Sequence, residues 1–176
     1  MVVYALVLAV VALAACCNAY TRSYTSSRSA PSTVLQLSSS DLEDSLKLRS
    51  PCKLNLFLRI LGRRPTGYHD LASLFQTISI SDYLYMSKLP EGSKKDEMTC
   101  SDTTLAVTDD NLVIKALNLM RQKTNIDAYF KVHLDKTVPI QAGLGGGSGN
   151  AATAMHGFNV LCDYPVKVNR VCIRGL

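Results

Sequence analysis

The stretch Pro139 to Asn150, PIQAGLGGGSGN, constrains this chain more than any other part of it. Five glycines fall within the seven residues Gly143 to Gly149. Glycine has no Cβ, so such a backbone can curl tightly and admit a ligand at close range. Before it, Ala128 to Leu134 (AYFKVHL) alternates apolar and polar residues and predicts a strand. After it, Ala151, Ala154, Met155, Phe158 and Leu161 recur at helical spacing and predict a helix over Asn150 to Leu161. A glycine turn between strand and helix receives the unpaired first N–H groups of the helix and the positive end of its dipole. That combination is an anion site suited to phosphate, and Ser148 adds a hydroxyl to it. The regular elements on both sides argue against a plain flexible surface loop.

Two familiar nucleotide loops do not fit. A Walker A loop ends in Gly-Lys-Ser or Gly-Lys-Thr, and no lysine occurs between Lys136 and Lys167. The Rossmann fingerprint fails because Ser148 stands where its third glycine belongs after Gly143 and Gly145.

The remaining patterns place this loop in an α+β chain with a mixed or antiparallel sheet. Ser50 to Leu61 (SPCKLNLFLRIL) predicts a strand whose buried face carries Leu54, Leu56 and Leu58. Gly62 to His69 reads as a loop, and Leu71 to Met86 as a second strand. Short strand pieces are expected at Glu97 to Asp102 and at Leu105 to Val107. Asp110 to Thr124 is a helix with Asp109 or Asp110 as its cap and Leu112, Val113, Ala116, Leu117 and Met120 on one face. His133 reads as a structural strand residue.

Composition excludes several classes. At 47% hydrophobic and 19% charged, the 176 residues are neither disordered throughout nor collagen-like. A net charge of +5 suits a phosphate ligand. Arg59, Arg63 and Arg64 form a small basic cluster without the extended basic face that nucleic acid needs, so no nucleic-acid partner is expected. The six cysteines (Cys16, Cys17, Cys52, Cys100, Cys162, Cys172) show no CxxC and no histidine at metal-ligand spacing. They read as unpaired thiols in a reducing compartment, with no metal ligand singled out.

The first fifty residues read as an address. Met1 to Cys17 is apolar without a charge, and cleavage after Ala19 makes residues 1–19 a signal peptide. In Tyr20 to Ser40, eleven of 21 residues are Ser or Thr and none is acidic, so residues 20–49 read as a transit-peptide-like segment ending in a charged junction, Asp41 to Arg49. Such a two-part leader matches delivery to a plastid through the secretory pathway, with membrane contact only during targeting.

Pro139 with GLGGGSGNAA from Gly143 to Ala152 resembles the phosphate loop of the GHMP kinase superfamily. Ser50 to Leu58 (SPCKLNLFL) and Gly62 to Leu71 (GRRPTGYHDL), followed by Leu74-Phe75-Gln76, narrow the resemblance. They resemble the branch that phosphorylates the 2-hydroxyl of a cytidine-diphosphate-linked methylerythritol in non-mevalonate isoprenoid synthesis. The resemblance implies the superfamily's N-terminal fold (ribosomal protein S5 domain 2-like) over residues 50–165, with 166–176 as an unrelated tail. It implies ATP and Mg²⁺, and CDP-methylerythritol as the small-molecule partner. It assigns Lys53 as the catalytic cation beside the attacking hydroxyl. Asn55 would hold the substrate, Tyr68 would stack on cytosine and His69 would hydrogen-bond the base. Pro139, Ala142, Gly143, Leu144, Gly145, Gly146, Gly147, Ser148, Gly149 and Asn150 would bind ATP. Another GHMP kinase, acting on homoserine, mevalonate or a sugar, and a non-catalytic nucleotide-binding fragment are the alternatives.

The chain departs from that family at Gly149, where a second serine is usual, and it lacks the later Gly-x-Asp-Val/Ile-Pro segment that supplies the family's catalytic aspartate. Asp163 directly follows the helix and is not accepted as that base. Phosphoryl transfer depends on positioning and charge stabilisation, so the 176-residue chain is expected to show no turnover by itself. A coupled ADP-release assay checks this; substrate-dependent release that disappears in Lys53→Ala would contradict it.

Overall fold

The computed structural model describes residues 45–63, 65, 67 and 69–166. The signal-peptide reading, nearly all of the transit-like reading, Tyr68 and residues 167–176 of the tail lie outside the described residues. Two long strands, β1 (Leu46–Arg63) and β2 (His69–Lys88), open the fold as an antiparallel hairpin. They are followed by β3 (Glu97–Cys100), helix α1 (Leu112–Thr124), β4 (Phe130–Asp135) and helix α2 (Gly146–Leu161). The sheet order is β1-β2-β4-β3; β2 and β4 run antiparallel, and β3 and β4 run parallel. This is the expected α+β arrangement with a mixed sheet. Leu105 lies in a bend and residues 106–107 are irregular, so no strand forms there.

Both helices cover one face of the sheet, and alternation decides which strand residues they bury. Leu84 and Met86 of β2 and Phe130, Val132 and Leu134 of β4 all point into the core. There they meet Val113, Ala116, Leu117 and Met120 of α1 and Ala151, Ala154, Met155 and Phe158 of α2. The rings of Phe130 and Phe158 pack tilted at 5.2 Å between centroids. On the opposite face His133 Nδ1 lies 2.8 Å from Thr99 Oγ1, and burial holds its pKa below the usual histidine value.

One helix detail corrects the sequence expectation. Asn111, rather than Asp109 or Asp110, caps α1: its Oδ1 accepts from Val113 N at 2.9 Å, while Asp110 pairs with Lys115 on the surface. Arg121, in the last turn of α1, forms a largely buried ion pair with Asp96 at 2.6 Å and lies 4.5 Å from the Tyr129 ring centroid. It thereby fastens the C-terminal turn of α1 to the segment ahead of β3.

The buried face of β1 is also not the expected one. Leu48, Ser50 and Cys52 are buried, whereas Leu54, Leu56 and Leu58 are 43%, 60% and 51% exposed. The strand begins at Leu46 and pairs Leu46 to Leu48 with Met86 to Leu84, so the helices cover its first half. Beyond Lys53 the hairpin runs on as a two-stranded ribbon whose apolar residues are half-buried or exposed. The alternation was real, but it reports a period and not which face acquires a partner. Truncating Phe158→Ala should therefore cost ~3–5 kcal/mol, and Leu56→Ala no more than about 0.5 kcal/mol, by urea denaturation monitored by circular dichroism. Similar losses for the two would contradict this division of the hairpin.

Candidate functional site

The glycine stretch is partly helix. Gly145, in the left-handed region at φ 72°, is the N-cap of α2, so Gly146, Gly147, Ser148 and Gly149 form its first turn instead of a loop. The first helical hydrogen bond runs from Gly149 N to Gly145 O at 2.9 Å. The N–H groups of Gly146, Gly147 and Ser148 are therefore the orphan donors of the helix start. No acidic residue lies in that turn and no side chain caps it, so nothing in it competes with an incoming anion. Ser148 and Asn150 are buried in the same turn, whereas Pro139, Ala142 and Gly143 are exposed at the rim.

Lys53 is brought to this loop by an irregularity in β1. Between Pro51 and Lys53 one residue of β1, Cys52, stands opposite three of β2, Ile78 to Ile80, because Pro51 pairs with Ser81 and Lys53 with Thr77. Cys52 and Lys53 are consecutive yet both buried, which regular alternation would not allow. Burial pushes the Cys52 thiol upward, so it stays protonated as an apolar neighbour. Lys53 grips the loop twice: its backbone N donates to Leu144 O at 2.9 Å, and its Nζ donates to Gly143 O at 2.6 Å. Its ammonium also lies 5.7 Å from the Phe75 ring centroid. No described carboxylate is paired with it. A Cβ on Gly145 would stand 2.9 Å from Lys53 Cε, so the lysine stem occupies the space that glycine leaves open.

Beneath the loop is a charged pair. Asp82 of β2 is fully buried, and its carboxylate meets Lys136 Nζ at 2.8 Å. Removing one partner of such a pair typically costs ~3–5 kcal/mol, because the other is left charged and dry. The sequence reading missed both residues. Each is in phase with the core, Asp82 with Leu84 and Met86, and Lys136 with Phe130, Val132 and Leu134. A charge at a core-facing strand position was the available signal.

A cavity of about 520 Å³ opens between this loop and the segment leading into α1. Its far wall includes Leu105, Ala106, Thr108, Asn111 and Leu112, none of which carried a recognisable motif. The near wall runs from Pro139 through Ser148 to Asn150, the whole predicted ATP-binding set except Gly149. The size lies within the usual range for small-molecule sites. Lys53 joins the loop at Gly143 and Leu144 without itself lining the cavity. Asn55 lies two residues further along β1, exposed, with Ser73 Oγ 3.5 Å from its Oδ1. His69 pairs with Arg63 at the far end of the hairpin, ten residues beyond Lys53 along β1, or roughly 30 Å of strand.

Comparison with known proteins agrees with this architecture. The sequence model of the GHMP kinases N terminal domain matches residues 111–175. That match runs into the stretch set apart above as a tail. A solved 4-(cytidine 5'-diphospho)-2C-methyl-D-erythritol kinase superposes with TM-score 0.56 at 28% identity, over 70% of this chain and 43% of that one. Homoserine kinase from Cytophaga hutchinsonii superposes with TM-score 0.54 at 16% identity, over 77% of this chain and 40% of that one, which shows a shared fold alone. The chain thus carries a GHMP kinase N-terminal domain. Within that class it is homologous to the 4-diphosphocytidyl-2-C-methyl-D-erythritol kinases. It is 55% identical over 114 residues to the chloroplastic enzyme of Oryza sativa subsp. japonica, covering 65% of this chain and 28% of that relative. It is 51% identical over 127 residues to the enzyme of Protochlamydia amoebophila, covering 72% of this chain and 43% of that relative. The chain therefore spans well under half the length of these relatives.

The two positive-φ glycines of the loop allow a test of the packing on Lys53. Gly143, at φ 73°, would have nothing within 4 Å of an added Cβ, whereas Gly145 would meet the lysine stem. Gly143→Ala should cost only the left-handed strain of about 1–2 kcal/mol. Gly145→Ala should cost more than that, and in a Lys53→Ala background the two costs should converge. Denaturation of the wild type and the five variants (the three single and the two double substitutions) measures this coupling; an undiminished difference in the Lys53→Ala background would exclude it.

Proposed function

We propose that this chain carries the phosphate-loop half of an ATP-dependent small-molecule kinase. Its acceptor would be the 2-hydroxyl of 4-diphosphocytidyl-2-C-methyl-D-erythritol. The observation that supports this reading best is one place in the fold where the ammonium of Lys53, without a carboxylate partner among the described residues, meets the loop ahead of a helix start without acid or cap. Phosphoryl transfer asks the protein mainly for positioned positive charge around the moving group. Gly143, Leu144, Gly145, Gly146, Gly147, Ser148, Gly149 and Asn150 would wrap the ATP phosphates, with Pro139 and Ala142 at the rim. The nucleoside would lie against the Leu105 to Leu112 wall of the cavity. On phosphate binding, Lys53 Nζ would exchange the Gly143 carbonyl for phosphate oxygens.

Mg²⁺ keeps most of its shell as water and phosphate oxygen, and takes few protein ligands. The residues present suit that demand. Asn150 Oδ1 is a buried oxygen without a hydrogen-bond partner, and Ser148 stands two residues before it. Together they would hold the ion beside the phosphates, where it would neutralise charge as the phosphoryl group moves.

Lys53 and Asn55 would take the methylerythritol end of the acceptor, and the family resemblance assigns its cytosine end to Tyr68 and His69. Several plant relatives are named as chloroplastic, and together with the Ser-rich leader this supports a plastid location reached through the secretory pathway.

Calorimetric titration of the 176-residue chain tests the reading. MgATP and CDP-methylerythritol should each bind and homoserine should not. Lys53→Met should weaken MgATP roughly tenfold or more, the size of one lost hydrogen bond to a charged group. Absence of MgATP binding would remove the nucleotide site. Preference for homoserine would move the chain to another branch of the same kinases.

A further inference from the structure

We infer that Asp82, with Lys136, is the positioning residue of the glycine loop. One buried carboxylate joins the chain just before the loop to the helix just after it, and so sets where the loop's N–H donors point. The inference rests on the reading of that loop as the phosphate site. Asp82 Oδ1 accepts from Thr137 N and from Val138 N, both at 2.7 Å. Asp82 Oδ2 accepts from Lys136 Nζ at 2.8 Å and from Asn150 Nδ2 at 2.9 Å. Three donors thus precede the loop and the fourth follows it, while the acceptor belongs to β2, which borders neither end. The Asp82 side chain is fully buried, so water cannot replace a lost partner.

Lys136 extends the clamp. Its Nζ also donates to Val138 O. It lies 3.3 Å from the point a Cβ of Gly146 would occupy, and Val138 Cγ1 lies 3.1 Å from the same point. The ammonium and Val138 therefore pack directly under the first residue of α2. Asp82 is fully buried and its two oxygens are taken by four donors, so it acts through the loop and not on a ligand, whereas Lys136 also lines the cavity. An amide at this position cannot serve the same four donors. It keeps one acceptor oxygen and turns an NH₂ group toward partners that are themselves donors.

Hydrogen exchange of the full 176-residue chain tests the clamp, read as the ratio of exchange in residues 137–149 to exchange in α1. Asp82→Asn should raise that ratio at least about tenfold, since local opening is set by local contacts. Leu84→Ala, a core truncation two residues along the same strand, should accelerate both regions together and leave the ratio unchanged. Should Asp82→Asn fail to fold, Lys136→Met, which keeps the carboxylate and most of the side-chain volume, should raise the same ratio. A ratio matching that of Leu84→Ala would reduce Asp82 to general fold stability and overturn the inference. An MgATP affinity unchanged in Asp82→Asn would overturn it as well; a fall of about tenfold would support it. If the wild-type chain bound no MgATP while the loop-specific exchange still appeared, the clamp would stand and the nucleotide reading would fail.

Discussion

A carboxylate without access to water must find its charge balance and all its hydrogen-bond donors inside the protein, or the fold pays several kcal/mol for it. Asp82 meets that demand with one ammonium, two backbone N–H groups and one side-chain amide. The arrangement needs β2, the end of β4 and the first turn of α2 in one place. Their juxtaposition fixes both ends of the glycine-rich segment. The segment itself has little side-chain packing of its own with which to hold a shape.

Lys53 shows the same economy from the other side of the loop. Its backbone and its ammonium both hold loop carbonyls, and its stem fills the space above Gly145. The residue proposed to meet the phosphates is thus also a structural strut of the loop. A cation that already sits in a desolvated, donor-rich place requires little rearrangement to stabilise transferred charge. The irregular pairing around Cys52 makes this possible, because a regular strand would have turned Lys53 away from the face that carries Ser50 and Cys52.

The long hairpin has a different character. Its first half belongs to the core, and its second half carries Leu56, Ile60 and Leu61 at 60% exposure or slightly more. Two strands alone bury little surface and are marginal as an isolated unit. Among the described residues, the core holds the hairpin through its first half, by the packing of Leu48, Leu84 and Met86 under α2 and its neighbours.

Much of this was legible in the residues. Five clustered glycines between alternating and helical patterns located the loop, and the periodicity of Leu112 to Met120 located α1, because these signals are local and depend on backbone sterics and a repeat. The choice of Asn111 over its two acidic neighbours as the cap was not legible, since all three side chains can cap and only the exact turn decides. The buried half of β1 was misplaced for a related reason: alternation marks two faces equally, and only the helices, packed from far along the chain, determine which face is covered. Asp82 and Lys136 lie 54 residues apart, and no local pattern links them. Sequence alone determined that a phosphate-type loop would stand between a strand and a helix in an α+β fold. Tertiary structure decided what holds that loop still, because pairing two distant charges in the dry interior is a property of the whole fold and of no single segment.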